Sequence, residues 1–255
     1  MQPLFDQILT HGLPIALRVG AVMTFAPFFG SSAVAVRVKA IFTLILTALL
    51  YPVCSIPSFS LAPSVWIRIV VSEIVLGLAI GLCLQFVLEG AQLAGQIVGF
   101  QFAFSLVNVI DPQTNVDTPV LSTFHQLGAV LLFLQMDVHH WILRGLVKSF
   151  EYVPVGSVTI SAAAARDLFR DVRGVWLSGL QMALPILLAT MFLDVVIGFL
   201  SKASPQMPAL FLSVPLKSLV GYAVLAMTIV MWPGFFEKQF TLALGWAERL
   251  MLLAH

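Results

Sequence analysis

The sequence predicts an all-α membrane protein built from six to seven hydrophobic helices. Of its 255 residues, 60% are hydrophobic and only 10% are charged, and the mean hydropathy is +1.01. A soluble domain carries about 25% charged residues, so this chain has too few polar groups to cover a water-exposed surface. The apolar runs are also continuous, whereas the strands of a membrane barrel alternate in polarity over ~10 residues.

A membrane-spanning helix needs about 20 apolar residues, and most of the runs approach or exceed that length. The run at 40 to 53 is short and the run at 90 to 110 is rich in glutamine, so the number of spans is six to seven. A weaker, amphipathic stretch at 235 to 253 follows the last run. The predicted spans are residues 13 to 29, 40 to 53, 65 to 88, 90 to 110, 119 to 143, 174 to 200 and 209 to 233.

The few charges of the chain predict a consistent topology, because basic residues are enriched in cytoplasmic loops. Arg37 and Lys39 at the end of the first loop place the N-terminus outside the cytoplasm. Alternation then places the acidic loop at 111 to 117 outside, and the basic segment at 144 to 173 inside. Within that segment, "AAAARDLFRDVRGVW" predicts an amphipathic helix at the membrane interface.

The charge balance and the motif content argue against several classes of function. A net charge of +1 gives no basic surface for nucleic acid, and the sequence has no P-loop, HExxH motif or nucleophile elbow. Cys54 and Cys83 lie far apart without a CxxC pattern, so neither a disulfide framework nor a zinc site is indicated. His139 and His140 follow Asp137, but adjacent helical residues point about 100° apart and make a poor chelate. We therefore expect no enzyme activity, no cofactor and no bound metal.

Small and polar residues recur every three or four positions from residue 73 to residue 99, within roughly 160° of one face if the helix is continuous. Glycines let helices approach closely, and amides and carboxylates hydrogen-bond across such a contact. A charge near the middle of the bilayer costs at least ~2.5 kcal/mol, so the acids need partners or water. The pattern suits either packing inside one helical bundle or docking against other subunits around a polar conduit. This polar stripe comprises Glu73, Gly77, Gly81, Gln85, Glu89, Gln92, Gln96 and Gly99.

Two charged residues lie at matching depth in the C-terminal hydrophobic segments. Asp194 precedes and Lys217 follows the breaker "SKASPQMPA", in which Pro205 and Pro208 limit helix formation. If the chain folds back around residues 205 and 206, each charge lies about 17 Å along its helix from the turn. An ion pair would spare both groups from unpaired burial. The alternatives are that each bonds a different neighbour or faces water, or that Asp194 takes part in proton transfer.

The stretch "FSLVNVIDPQTNVDTPVL", residues 104 to 121, interrupts the apolar runs with two acids, two asparagines and two prolines. Proline limits helix locally, and Asn and Asp bond nearby backbone groups. Non-helical backbone at membrane depth is tolerated only within protein or beside a water-filled cavity. From composition alone, a plain turn outside the cytoplasm is favoured over a functional loop.

Four stretches along the chain share their order and spacing with a known family. They are "AVMTFAPFFGSSAVAVRVKAIFTLILTALLYP", then "SEIVLGLAIG" followed by "AQLAGQIVGFQFAFSLVNVIDPQ", then "HHWILRGLVKSFEYVPVG" and "LDVVIGFLSKASPQMPALFLSVPLKSLVGY". Each stretch is a weak signal alone. Together, over about residues 15 to 235, they resemble the FliR family of flagellar biosynthetic export proteins.

The resemblance implies a core subunit of the flagellar type III protein export gate. FliR-like proteins join FliP and FliQ there, and unfolded flagellar subunits cross the inner membrane through the gate. The implied architecture is a single domain over residues 1 to 255, with a FliP-like part at 1 to 173 and a FliQ-like hairpin and amphipathic end at 174 to 255. The implied partners are FliP and FliQ homologues, the FlhB and FlhA export components, unfolded export substrates and membrane lipid, but no nucleic acid. The implied location is the flagellar basal body in the bacterial inner membrane, partly raised to the periplasmic side.

In this family, a loop at the position of residues 104 to 121 projects into the lumen and helps to close it, and the resemblance therefore favours a plug over a plain turn. Two other functions remain as alternatives. One is an injectisome homologue, and the other is a self-contained ion-coupled small-solute transporter, whose typical inverted repeats are not found here. The predicted plug loop comprises Phe104, Leu106, Val107, Asn108, Val109, Ile110, Asp111, Pro112, Gln113 and Thr114.

Overall fold

The computed structural model describes residues 8–30, 34–54, 62–102, 120–157, 162–204, 206 and 209–253. Every regular element in these ranges is helical, which confirms the predicted all-α class. A π-helical turn at Ile8–Gly12 leads into the first α-helix. The α-helices are α1 Leu13–Phe25, α2 Val36–Leu50, α3 Pro63–Gln101, α4 Val120–Gln135, α5 Val138–Tyr152, α6 Ala162–Ala203, α7 Ala209–Ile229 and α8 Trp232–Leu253.

Helix α3 is a single element of 39 residues, although the sequence predicts two spans with a boundary near residue 89. Its only proline is Pro63, at the first position, so every later residue keeps its backbone donor. Gly90 costs about 1 kcal/mol relative to alanine, which a long packed helix tolerates. The helix is about 58 Å long, roughly twice the thickness of a hydrocarbon core.

The number of membrane-spanning helices differs from the prediction. Two described helices are long and apolar enough to cross a membrane, namely α3 and the Val172–Ala203 part of α6. Two bent pairs, α4 with α5 and α7 with α8, raise the number to four if each pair forms one span. Helices α1 and α2, of 13 and 15 residues, are too short to cross alone, because each residue adds only about 1.5 Å. The predicted six to seven spans are therefore not confirmed.

The two bent pairs mark the sharp turns of the helical chain. Helices α4 and α5 meet at 67°, and Asp137 at the break has a left-handed backbone with φ 55°. Helices α7 and α8 meet at 63° after Ile229. Residues 162 to 176, which the sequence predicts as a separate interfacial helix, form the first part of α6 and continue without a break into the rest of it.

The chain divides into two compact units. The first consists of Met1–Phe86, Phe133–Arg173 and Phe240–His255. In this unit, Gly77 and Gly81 of α3 lie directly against α1, so that a Cβ at Gly81 would come within 2.9 Å of Phe25. Farther along α3, buried Cys83 packs with Ala247 and Leu250 of α8.

The second unit consists of Val87–Leu132 and Gly174–Gln239. Its helices approach each other at small residues: a Cβ at Gly95 of α3 would collide with the backbone of Ser122 in α4. His125 of α4 is buried, and its Nδ1 donates a hydrogen bond to the Leu121 carbonyl oxygen at 2.7 Å. The His125 ring lies 5.0 Å from the ring of Trp232 at the start of α8.

Candidate functional site

The first unit contains an ion pair with no exposed surface. Arg18 of α1 and Glu73 of α3 are both 0% exposed, and the Arg18 Nε donates to a Glu73 carboxylate oxygen at 2.6 Å. A close approach of α1 and α3 makes this contact feasible, because a Cβ at Gly77 would lie 2.6 Å from the Arg18 carbonyl oxygen. Glu73 and Gly77 lie one turn apart on α3, so the glycine and the acid act on the same stretch of α1.

The remaining donors of Arg18 bind the end of α5. Its Nη1 donates to the Ser149 carbonyl oxygen at 2.8 Å and to the Ser149 hydroxyl at 3.2 Å. Its Nη2 donates to the Val153 carbonyl oxygen at 2.9 Å. The guanidinium also lies over the Phe150 ring, 4.2 Å from the centroid, in a cation–π contact. Arg18 therefore binds buried carbonyl oxygens at the C-terminus of α5, where a positive charge is favoured.

The second oxygen of Glu73 binds the turn that follows α5. The backbone N–H of Gly156 donates to it at 3.1 Å. Gly156 has φ 77°, a left-handed conformation that glycine adopts without strain. One ion pair thus joins α1, α3 and the α5 C-terminus through hydrogen bonds that satisfy both charges, as buried charges require.

The sequence predicts that Glu73 needs a partner but does not identify Arg18 as that partner. A signal for Arg18 is present in the sequence, since it is a lone basic residue inside the predicted span at 13 to 29. Charged residues within apolar helices pair with one another or with backbone carbonyls, and Arg18 does both. Spacing along the chain gives no hint, because the two residues lie 55 positions apart.

The polar stripe lies along one continuous helix but does not form one site. Its first three members, Glu73, Gly77 and Gly81, are buried against elements of the first unit. For these three residues, packing inside one chain is the observed role. Gln85 and Glu89 are half-buried.

The last members of the stripe lie in the second unit and are less enclosed. Gln92, Gln96 and Gly99 are half-buried. Among the described residues, a Cβ built at Gly99 would meet no atom within 4 Å, in contrast to Gly95 one turn earlier. The described part of the chain therefore leaves space beside Gly99.

Asp194 of α6 and Lys217 of α7 lie together, with a Lys217 Nζ to Asp194 Oδ1 distance of 2.5 Å. Neither side chain is fully buried: the Lys217 side chain is 18% exposed and that of Asp194 is 48% exposed within the chain. The neighbours of Asp194 along α6 are apolar and exposed, among them Phe192 at 67% and Val195 at 57%. The carboxylate thus lies on an apolar surface with one basic partner.

The predicted plug loop lies outside the described residues, which end at Phe102 and resume at Val120. Phe102 itself is 3% exposed and packs against α7. A Cβ at Gly221 would collide with the Phe102 ring, and the Tyr222 ring lies 4.8 Å from it. The residue that precedes the predicted loop is therefore held firmly in the second unit.

The expectation that His139 and His140 diverge is wrong. Their ring centroids lie 4.1 Å apart, and Asp137 Oδ1 lies 3.3 Å from His140 Nδ1 and 3.8 Å from His139 Nε2. The 100° rule describes the directions of Cα–Cβ bonds along a helix. Here Asp137, with its left-handed backbone, stands at the N-cap of α5, and His139 and His140 lie in the first turn of this helix. The side chains turn towards one another there.

Cys54, between α2 and α3, has a perturbed thiol. Burial raises the pKa of the Cys54 thiol above its ordinary value; the Arg18 charge lowers this pKa and the Glu151 charge raises it. A raised pKa keeps the thiol protonated and weakly nucleophilic at neutral pH. Cys83 is buried in the core, so the described structure gives neither cysteine a reactive setting.

Comparison with known proteins places the chain among export components. Residues 9–243 match the family described as bacterial export proteins, family 1. The flagellar biosynthetic protein FliR of Escherichia coli strain K12 is 29% identical over 228 residues, covering 88% of this chain and 86% of the relative. The FliR protein of Bacillus subtilis strain 168 is 25% identical over 216 residues, covering 84% of this chain and 83% of the relative. The FliR protein of Caulobacter vibrioides is 25% identical over 216 residues, covering 83% of this chain and 85% of the relative.

Proposed function

The chain belongs to the bacterial export proteins, family 1, and we propose that it is a non-enzymatic core subunit of the flagellar type III protein export gate. The match to this family over residues 9–243 is the observation that carries the proposal. The relatives named above are flagellar biosynthetic proteins, and they align along most of their own length. The chain is a flagellar export component with apolar helices typical of a membrane protein.

The partners in this proposal are FliP and FliQ homologues in a hetero-oligomer in the inner membrane. Support comes from α2, which is too short to span a bilayer yet exposes large apolar side chains. Val36 is 80% exposed, Leu44 64% and Leu49 63%. Exposed apolar surface of this extent on a helix is typical of a contact with protein or lipid. Neighbouring subunits, with FlhB and FlhA as further partners, would cover the apolar helix surfaces that do not meet lipid.

The hairpin of α6 and α7 corresponds in this proposal to the FliQ-like part. Asp194 is half-exposed on an apolar helix face, where lipid would offer its carboxylate no hydrogen bond. A polar group from a neighbouring subunit would complete its surroundings. We assign the same kind of contact to Gln92, Gln96 and Gly99, the part of the polar stripe that this chain leaves partly open.

The loop at 104 to 121 acts as the plug of the gate in this proposal. The firm packing of Phe102 supports it, because a loop that closes a channel needs a rigid attachment. Deleting residues 106 to 116 should leave assembly intact and make the gate leaky to ions. Ion permeability of cells that express the gate, together with co-purification of its partners, measures both properties. A deletion complex as ion-tight as the wild type would contradict the plug.

Secretion tests the proposed function directly. Deleting the gene in its source organism should abolish release of flagellar subunits into the medium and motility, and a plasmid copy should restore both. The alternative of an injectisome component predicts that secretion of injectisome substrates is lost while motility persists. Normal secretion by both systems in the deletion strain would contradict an export role of either kind.

A further inference from the structure

We propose that Asp137, His139 and His140 form a binding site for a divalent transition-metal ion, with zinc as the preferred ion. The three residues lie at the break between α4 and α5. One ligand atom from each residue lies within 4.8 Å of the other two. This site is separate from the Arg18–Glu73 ion pair and does not depend on the proposed export function.

The distances between the ligand atoms suit a tetrahedral ion. Zinc bonds of about 2.0–2.1 Å to nitrogen and oxygen place neighbouring ligand atoms about 3.3 Å apart. Asp137 Oδ1 and His140 Nδ1 are already 3.3 Å apart, and Asp137 Oδ1 and His139 Nε2 are 3.8 Å apart. The two histidine ligand atoms lie within 4.8 Å of each other, and small rotations of the exposed Asp137 and His140 side chains would bring all three ligand atoms to the tetrahedral spacing.

The ligand types select among metals. Two imidazole nitrogens and one carboxylate oxygen suit zinc and other late first-row ions, whereas calcium and magnesium prefer oxygen alone. Three protein ligands leave a fourth position for water. The His140 and Asp137 side chains are 57% and 68% exposed, so an ion has direct access from outside the chain.

Two further observations bear on the ligands of this cluster. The Asp137 carboxylate makes no capping hydrogen bond to α5, although it occupies the N-cap position, so the helix does not compete for its oxygens. Metal binding at the His139 Nε2 places the ring proton on Nδ1, which is buried without an acceptor among the described residues. This unpaired donor weakens the His139 bond, and Asp137 and His140 are therefore the stronger ligands.

The helix dipole opposes a cation at this position, because the N-terminus of α5 carries partial positive charge. That effect is weak at an exposed site, and the charge of Asp137 offsets it. A bound ion would tie Asp137 to the first turn of α5. It would thereby hold the left-handed backbone of Asp137, with φ 55°, in place.

Zinc binding by the full-length protein, purified in mild detergent with a tag that contains no histidine and with any partners that remain bound, tests the proposal. The protein is stripped with a chelator, titrated with zinc chloride alone and washed, and its zinc content is measured by mass spectrometry. We expect the wild type to hold about one more zinc per chain than Asp137→Asn or His140→Ala. Each variant should bind at this site more than about tenfold more weakly, since even outer-shell changes cost 10–100-fold.

The variants are chosen to keep the fold. Asparagine tolerates the left-handed conformation of Asp137, and His140 is exposed, so metal-free melting temperatures should match that of the wild type. His11→Ala is the matched control, because it removes a histidine elsewhere and should leave zinc content unchanged. Cobalt bound to the wild type should give the intense visible absorption of a tetrahedral site, and Asp137→Asn should not. Equal zinc content in the wild type and Asp137→Asn would overturn the proposal.

Discussion

Arg18 and Glu73 show how a single buried pair can organise a membrane protein interior. Neither side chain has exposed surface, and each binds the α5 C-terminus or its following turn as well as the other. Burying two charges costs several kcal/mol per ion, and only complete hydrogen bonding recovers this cost. The pair therefore contributes more to the specific arrangement of α1, α3 and α5 than to net stability.

Breaking the pair on one side should be far more costly than removing both charges. Arg18→Met leaves Glu73 buried without its counter-charge, and we expect about 3–5 kcal/mol of destabilisation. The double variant Arg18→Met with Glu73→Leu should lose less than the sum of the two single changes. Unfolding of the purified chain by titration with sodium dodecyl sulfate measures these differences.

The exposed Arg249 provides the matched control for this experiment. Arg249→Met removes the same side chain from a position where its Nε donates to the Gly245 carbonyl oxygen of its own helix, at 3.2 Å. It should change the free energy of unfolding by no more than about 0.5 kcal/mol. If Arg18→Met is as mild as Arg249→Met, the buried pair does not have the role described here.

At this scale the sequence predicts one side of the site better than the other. Glu73 stands out because it begins a regular polar pattern, and its need for a partner follows from the cost of a buried charge. Arg18 belongs to no pattern, and its partners come from residues 55 and 131 or more positions away. His139 and His140 show another limit of prediction from sequence, because ideal helix geometry does not describe the directions of side chains at the start of a helix.

Helix α3 contributes residues to both units, and its glycines have unequal roles. Gly95 lies against the backbone of α4, whereas Gly99 has open space beside it. The sequence predicts the spacing of these glycines, but it does not predict that the helix continues through Glu89 and Gly90. Packing along the length of α3 decides whether this helix continues, and the composition of the sequence carries no information about that packing. The same applies to the short α1 and α2, whose apolar sequences resemble full spans.

Alanine substitutions at these two glycines should have opposite effects. Gly95→Ala forces a methyl group into the α4 backbone, which cannot give way, and should destabilise the chain by about 1–3 kcal/mol. Gly99→Ala meets no clash and gains helix propensity, which should stabilise the isolated chain by up to about 1 kcal/mol. Detergent unfolding of both variants in parallel measures the difference.

The Gly99 variant also tests the proposed subunit contact. If Gly99 lies against a neighbouring subunit, Gly99→Ala should reduce recovery of the assembled complex even though the isolated chain is no less stable. Equal effects of the two substitutions on the isolated chain would contradict the packing described for α3. Full assembly of the Gly99→Ala complex would remove this glycine from the proposed interface.

At the scale of the whole molecule, the described surface is strongly apolar. Phe199 is 72% exposed, Trp176 67% and Met227 74%, and Asp194 is half-exposed among apolar neighbours. Composition predicts this character, because so few charged residues cannot cover a chain of this length. The continuous apolar runs predict the all-α class. Composition does not predict which apolar faces meet lipid and which meet protein, because both environments favour the same side chains.

The most direct test of the proposed gate subunit is the mass of the intact complex formed on co-expression with FliP and FliQ homologues from the same genome. The complex is purified in mild detergent through a tag on this chain, and native mass spectrometry gives its composition. The account predicts one large hetero-oligomer that contains all three proteins, and a much lower yield of this chain when it is expressed alone. Recovery of a stable single chain that leaves both partners behind, and that binds a small solute on its own, would contradict the account.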